Sequence, residues 1–276
     1  MGAMQAKIAR LDSRAVIRVD GPEWRPFLHN LLTHDIERLA PGELRFAALL
    51  TPQGRFLHDM FVLAGENEAW LDVQAAHREA LLKRLTLYKL RAKVGLSTED
   101  AGVYALWEAT EPGAGWAPDP RLPQLGFRAI AASEPANASE DAYDAHRLAL
   151  GVPDPGRDCT PDKTYPIEAD FDLLDGIDFR KGCFIGQETT SRMKRRGVIK
   201  TRMLPIVFEG APPPFGAEVL AGDLRAGEVL SGRQGRAIAL LRLDRIQNAT
   251  LSVDGRVARA EPPFWFPAWL GAEQGA

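Results

Sequence analysis

Within eight residues, the segment Lys181-Gly182-Cys183-Phe184-Ile185-Gly186-Gln187-Glu188 sets a thiol beside an ammonium, an amide and a carboxylate. Glycines before and after the cysteine permit a tight, exposed turn that bulkier residues resist. Residues 187–196 then read as a helix, which puts Cys183 just ahead of a helix N-terminus, with Arg180 and Lys181 adjacent. The partial positive charge of a helix start and nearby cations both favour thiolate, the nucleophilic and metal-binding form. Cys183 is therefore expected to be a reactive thiol. Lys181, Gln187 and Glu188 are expected to share its chemistry, and Gly182, Phe184, Gly186 and Arg192 to complete the motif. Most free cysteines are small buried hydrophobes instead, but burial here would have to desolvate the Arg180-Lys181 pair. Cys159, between Asp158 and Thr160, lacks such neighbours and is expected to be inert.

Two further features could bind a ligand. Between Arg180 and Arg202 stand eight basic residues, Arg180, Lys181, Arg192, Lys194, Arg195, Arg196, Lys200 and Arg202, against the single acid Glu188. A solvated helix end accounts for such a run as well as an anion site does, whether for a polyglutamate tail or an RNA phosphate. In Tyr165-Pro166-Ile167-Glu168 a carboxylate follows a proline-fixed turn. It suits the adjacent N–H donors of a pterin or guanine edge, or equally a surface or capping role.

The elements that must position these groups alternate between strand and helix. Residues 15–19 alternate as a strand, and residues 23–32 carry apolar groups at helical spacing. Residues 46–50 and 56–63 flank Thr51-Pro52-Gln53-Gly54 as a hairpin, 69–73 add a strand, 75–90 a helix and 92–96 another strand. Residues 109–124 form an irregular connection rich in Pro and Gly, and 141–150 a short helix. From about Leu204 the pattern changes to short strands at 203–208, 218–220, 226–230, 237–243 and 251–253, which predicts a small barrel or sandwich. The aromatic run Phe264-Trp265-Phe266 is expected to plug that barrel or a domain interface.

Composition sets bounds. With 276 residues, 45% hydrophobic, 26% charged and net charge −3, the chain reads as an ordinary globular protein of more than one compact unit. No apolar run reaches the roughly 20 residues needed to span a bilayer. Two cysteines without a CxxC spacing fit neither a disulfide framework nor a zinc site. A cytoplasmic location, a monomer, no membrane partner and no permanently bound metal are the resulting expectations.

Lys181–Glu188, read as K-G-C-[FY]-x-G-Q-E, resembles the signature of the YgfZ-type folate-binding proteins, relatives of the glycine-cleavage T-protein that include a mitochondrial iron–sulfur assembly factor. The segments Phe27–Asp35, Leu50–Arg55 and Lys89–Val94 are similar to segments of that family as well. The resemblance implies an α+β fold, a three-domain cloverleaf around a central folate channel with a C-terminal β-barrel. We expect a first domain of residues 5–45 plus 125–203, a second of 46–124 and a barrel of 204–276. It implies tetrahydrofolate or a derivative as cofactor, Glu168 holding the pterin and Arg202 contacting the folate. Where aminomethyltransferases carry a catalytic Asp this chain has Leu81, which can do no acid–base work.

Three functions follow from this reading. In the first, a tetrahydrofolate-binding protein uses Cys183 to assemble or repair iron–sulfur enzymes, among them those that thiolate tRNA, with folate and iron–sulfur proteins or assembly factors as partners. The second is a folate-dependent one-carbon transferase with Cys183 as acceptor. In the third, a tRNA-binding module docks RNA through the basic segment 192–202.

Overall fold

The computed structural model describes residues 5–267 apart from Val198 and Asn248. In chain order the elements are β1 (Lys7–Arg10), β2 (Arg14–Asp20), α1 (Trp24–Leu31), β3 (Leu44–Leu50), β4 (Phe56–Ala64), β5 (Glu68–Gln74), α2 (Arg78–Lys89), β6 (Gly95–Glu99), β7 (Gly102–Trp107), β8 (Ala117–Pro118) and β9 (Phe127–Ala131). There follow α3 (Glu140–Ala149), α4 (Pro155–Asp158), α5 (Gln187–Arg196), β10 (Thr201–Phe208), β11 (Glu218–Ala221), β12 (Leu224–Arg233), β13 (Arg236–Arg242), α6 (Leu243–Ile246), β14 (Leu251–Val253) and β15 (Arg256–Ala260).

Three antiparallel assemblies result: a five-stranded sheet β3-β4-β5-β2-β6, a four-stranded sheet β1-β7-β9-β8, and a closed barrel β10-β13-β12-β11-β14-β15. The five-stranded sheet is covered on both faces at β3, which is why that strand, Leu44–Leu50, reads as a nearly continuous apolar run. In β3, Ala47 and Leu49 join a core with Trp24 and Leu28 of α1 and Leu81 and Leu85 of α2. Their neighbours Phe46, Ala48 and Leu50 face the other way, onto Ile167, Phe171 and Phe184 and onto Met203, Leu230 and Ile238 of the barrel. Phe46 stacks on Phe171 with ring centroids 4.6 Å apart. The stretch 159–186 carries neither helix nor strand yet buries Ile167, Phe171 and Leu174, so it is a packed layer between sheet and barrel. A long irregular segment in that position is uncommon outside functional regions.

The helix expected over 187–196 and the closed barrel are present. Other boundaries differ. The expected division at residue 45/46 cuts across a sheet, because β2 lies between β5 and β6 while β1 pairs with β7. The strand placed at 92–96 begins at Gly95, since residues 89–94 are taken up by tight turns such as Ala92 N–H to the Lys89 carbonyl at 2.8 Å. The barrel has a sixth strand, β15. Of the aromatic run, Trp265 donates its indole N–H to the Leu150 carbonyl at 2.8 Å and packs beside Val152 and Leu174, and Phe266 packs on the barrel core. Phe264 is exposed. Among the described residues, no helix is long and apolar enough to cross a membrane.

Candidate functional site

Helix α1 ends at Leu31, and its last carbonyls have no partner within the helix. The ammonium of Lys181 meets that helix end and the chain just after it: it donates to the carbonyl of His29 in the last turn and to those of Leu32 (2.6 Å) and His34 (3.0 Å) beyond it, and lies 5.2 Å from the Phe184 ring centroid. Burial pushes its pKa down to about 8, against the pull of Asp35 and Asp178, so it remains charged at neutral pH. Lys181 is thus a structural anchor whose three donors are consumed, and it is not the exposed activator of the thiol expected from its position in sequence.

The next residues are pinned on both sides. Phe184 enters the core between sheet and barrel, and Ile185 packs on the core beneath α1 and α2. Gly186, at φ 81°, lies so close to the 51–54 turn that a Cβ would meet the Thr51 carbonyl oxygen at 2.6 Å and the Gly54 Cα at 2.8 Å. Gly54, at φ 80°, faces back with the Thr189 side chain at 2.9 Å from its own would-be Cβ. Neither position accepts a side chain. Three of the segments quoted for the family resemblance, 27–35, 50–55 and 181–188, therefore meet at one place.

Cys183 stands on this platform and is exposed. Helix α5 starts four residues beyond it at Gln187, capped by Gly186, and carries Glu188 in its own first turn, which meets the helix field before the thiol does. Gln187 and Glu188, with Phe179, Ser191, Lys194 and Arg195, line an open depression. Cys159 is buried among Ile167 and Phe56, and burial raises its pKa well above the usual thiol value.

The basic run is less continuous in space than in sequence. Lys181 and Arg202 are buried, and Lys194 pairs with Asp172 at 3.0 Å. Arg180, Arg192, Arg195 and Lys200 are exposed; the side chain of Arg196 lies outside the described residues.

Neither residue carried over for folate is free. Arg202 is 1% exposed and grips Asp172 through two bonds of 2.5 and 3.0 Å, reaching Asp170 at 3.0 Å and the Ile167 carbonyl at 2.6 Å. Burial pushes the Asp170 carboxyl well up, and its Oδ2 has no partner, whereas Arg202 and Lys194 together hold Asp172 below the usual carboxylate range in spite of its burial. The working ion pair is Arg202–Asp172. Glu168 accepts the Tyr165 N–H (3.0 Å) and the Thr201 hydroxyl (2.6 Å), the capping alternative for that carboxylate.

The centre of the molecule is crowded with charge. Arg14 bridges Asp72 (2.5 Å) and Asp59 (2.7 Å), Arg128 also holds Asp72 (2.5 Å), and Arg121 holds Asp119 (2.8 Å). Of these groups Arg14, Asp59, Arg121 and Arg128, with Phe61 and Tyr143, line a cavity of about 40 Å³. That is room for a few waters and not for a pterin. Neither Glu168 nor Arg202 lines it. Leu81 is 1% exposed in the core of the five-stranded sheet. As they stand, the residues do not fit a folate. The signal that marked the site's supports was the backbone chemistry of segments 27–35 and 50–55, in which no individual side chain stands out.

Comparison with known proteins places these features. Residues 200–268 match the family described as CAF17, C-terminal beta-barrel domain. The chain is 31% identical to the human iron–sulfur cluster assembly factor IBA57, mitochondrial, over 94% of this chain and 85% of that one. It is 33% identical to the IBA57 homologue of Phaeosphaeria nodorum, over 96% and 81%. With the Neurospora crassa homologue it shares 31% identity over 82% of this chain, spanning 60% of that protein's length. In fold it is similar to the glycine cleavage system aminomethyltransferase T of Bartonella henselae, with a TM-score of 0.75, 18% identity and coverage of 95% and 86%. All three relatives are named as mitochondrial, which overturns the cytoplasmic expectation drawn from composition.

Two outcomes are expected. With the native protein, a maleimide should label Cys183 quickly and Cys159 only after unfolding; equal rates by peptide mass spectrometry would contradict the geometry. Arg202→Met should destabilise the fold by about 1–3 kcal/mol, because it takes two bonds from the buried Asp172 carboxylate, leaving it Lys194, and removes the cation beside Asp170; chemical denaturation would measure it.

Proposed function

The chain belongs to the IBA57 family of iron–sulfur cluster assembly factors, and on that premise we propose that it performs its assembly role through the Cys183 thiol. A thiolate is a soft ligand suited to iron and to cluster sulfur chemistry, and the cluster or iron is here the cargo. One ligand on an exposed platform can engage such cargo while a partner protein supplies the rest, and can let it go afterwards. The protein's own contribution is placement: Lys181 fixes the loop to α1, Phe184 and Ile185 clamp it into two cores, and Gly186 seats it on the 51–54 turn.

The single observation that carries the proposal is that, of two cysteines, the one in the motif is held out at the surface and the other is sealed in the core. Arg180, Arg192, Arg195 and Lys200, in the same stretch of chain, favour an acidic partner surface. Folate enters no step of this reading, because the residues assigned to it are committed elsewhere and the central cavity is too small. Leu81, in the core, speaks against one-carbon transfer.

In a strain lacking its own factor of this family, the parent chain and Cys159→Ser should restore the activity of cluster-dependent enzymes, and Cys183→Ser should fold but fail to do so. Serine keeps the size and loses the thiolate. Full rescue by Cys183→Ser at native expression would refute the role of the thiol.

A further inference from the structure

A surface helix needs one apolar stripe, and α2 with its C-terminal turn shows two further leucines away from it. Leu81 and Leu85 are buried in the core, 1% and 0% exposed. On the outer side, Leu87 is 76% and Leu90 is 87% exposed, the highest values among the large hydrophobic side chains of the described residues. Lys83 and Leu87 fall at i and i+4 on one side of the helix, and Leu90 follows in the turn that ends it.

Along this stretch of sequence the charge has one sign, and Glu23 reaches in only to accept the Lys93 N–H. Lys83, Arg84, Lys89, Arg91 and Lys93 occur with no Asp or Glu between Glu79 and Glu99. Four of them are exposed and Lys89 half-buried. Among the described residues none of the five is in an ion pair, and the pair on this helix, Arg78–Glu79, sits at its far end.

The turn that ends the helix is strained and pinned. Leu90 lies at φ 46°, ψ −107°, a region that a Cβ disfavours. The Lys93 N–H donates to the Glu23 carboxylate at 3.0 Å, and Gly21, at φ 99°, leaves room for the Lys93 carbonyl where a Cβ would collide. Folding gains nothing from burying Leu87 or Leu90, yet a strained backbone holds Leu90 out in water.

We propose that residues 83–93 dock on an anionic lipid surface, with Leu87 and Leu90 entering the headgroup region and the five cations meeting lipid phosphates. Peripheral binding of this kind combines a small apolar insertion with a basic surround. The chemistry of the patch favours lipid over a second copy of this chain or single-stranded RNA. A second copy of the patch would be repelled by its like charge. Single-stranded RNA would leave two leucines idle and find no exposed aromatic ring to stack on, since Tyr88 is half-buried against the core. This surface is on a different element from the thiol loop and stands apart from the expectation of no membrane partner.

The test is co-sedimentation of the full chain with vesicles of phosphatidylcholine alone and of phosphatidylcholine mixed with phosphatidylglycerol. The protein should sediment only with the anionic vesicles, and added salt should release it. Leu87→Ser with Leu90→Ser, which keeps every charge, should weaken partitioning at least about 10-fold. Lys83→Gln with Arg91→Gln should weaken it about 30-fold. All four positions are exposed, so circular dichroism should report an unchanged fold. No binding to anionic vesicles, or equal binding by the double leucine variant, would overturn the proposal. Retention on single-stranded RNA with no vesicle binding would overturn it in favour of a nucleic-acid face.

Discussion

One buried ammonium holds the arrangement together. Helix α1 ends inside the protein, and Lys181 arrives from about 150 residues later to bond one carbonyl of its last turn, that of His29, and those of Leu32 and His34 just beyond it. Leaving a buried carbonyl unpaired costs about 1–3 kcal/mol, so the helix end and the thiol loop stabilise one another. Thr33 adds a second tie from the same corner, donating to the Gly176 carbonyl at 2.6 Å and accepting the Ala48 N–H at 2.8 Å. The position of Cys183 is a consequence: two residues after the anchor and one before Phe184, it has nowhere to go but outward.

The same pattern recurs at Arg202. A residue expected to touch a ligand instead ties the first strand of the barrel to the irregular layer, and through Asp172 to Lys194 of α5. At the centre, Arg14, Arg121 and Arg128 crowd the Phe61 ring while Asp59, Asp72 and Asp119 hold their charges. The fold shared with an aminomethyltransferase thus encloses a charged lattice at its middle and presents its distinctive chemistry at the surface. Fold likeness alone does not carry a ligand with it.

Local signals were legible in the sequence; long-range pairings were not. The bounds of α5 follow from Gly186 and Gly197, both left-handed and flanking a polar helical run. The exposure of Cys183 was expected from its neighbours, although one reason offered for it failed, because Lys181 is itself desolvated; that Cys159 is buried was not foreseen, since Asp158 and Thr160 beside it are polar. The fate of Lys181, Glu168 and Arg202 depended on partners that spacing does not reveal, such as the His34 carbonyl or the Thr201 hydroxyl. The boundary expected at residue 45/46 cut a sheet for a related reason, since β2 finds β5 some 50 residues on. The sixth barrel strand could have been found: Asp254-Gly255, with φ 49° and 72°, is the two-residue hairpin turn that joins β14 to β15.

The claim that Lys181 locks the thiol loop can be tested directly by amide hydrogen exchange in Lys181→Met under native conditions. The amides to follow are Asp178, bonded to the Thr33 carbonyl at 3.0 Å, and Gln187, bonded to the Phe184 carbonyl at 3.2 Å, with the β10–β13 ladder of the barrel as internal reference. Both amides should exchange at least about 10-fold faster while the ladder keeps its protection. Unchanged exchange at Asp178 and Gln187 would show that the loop holds its place without the ammonium, and would contradict the anchoring role of Lys181.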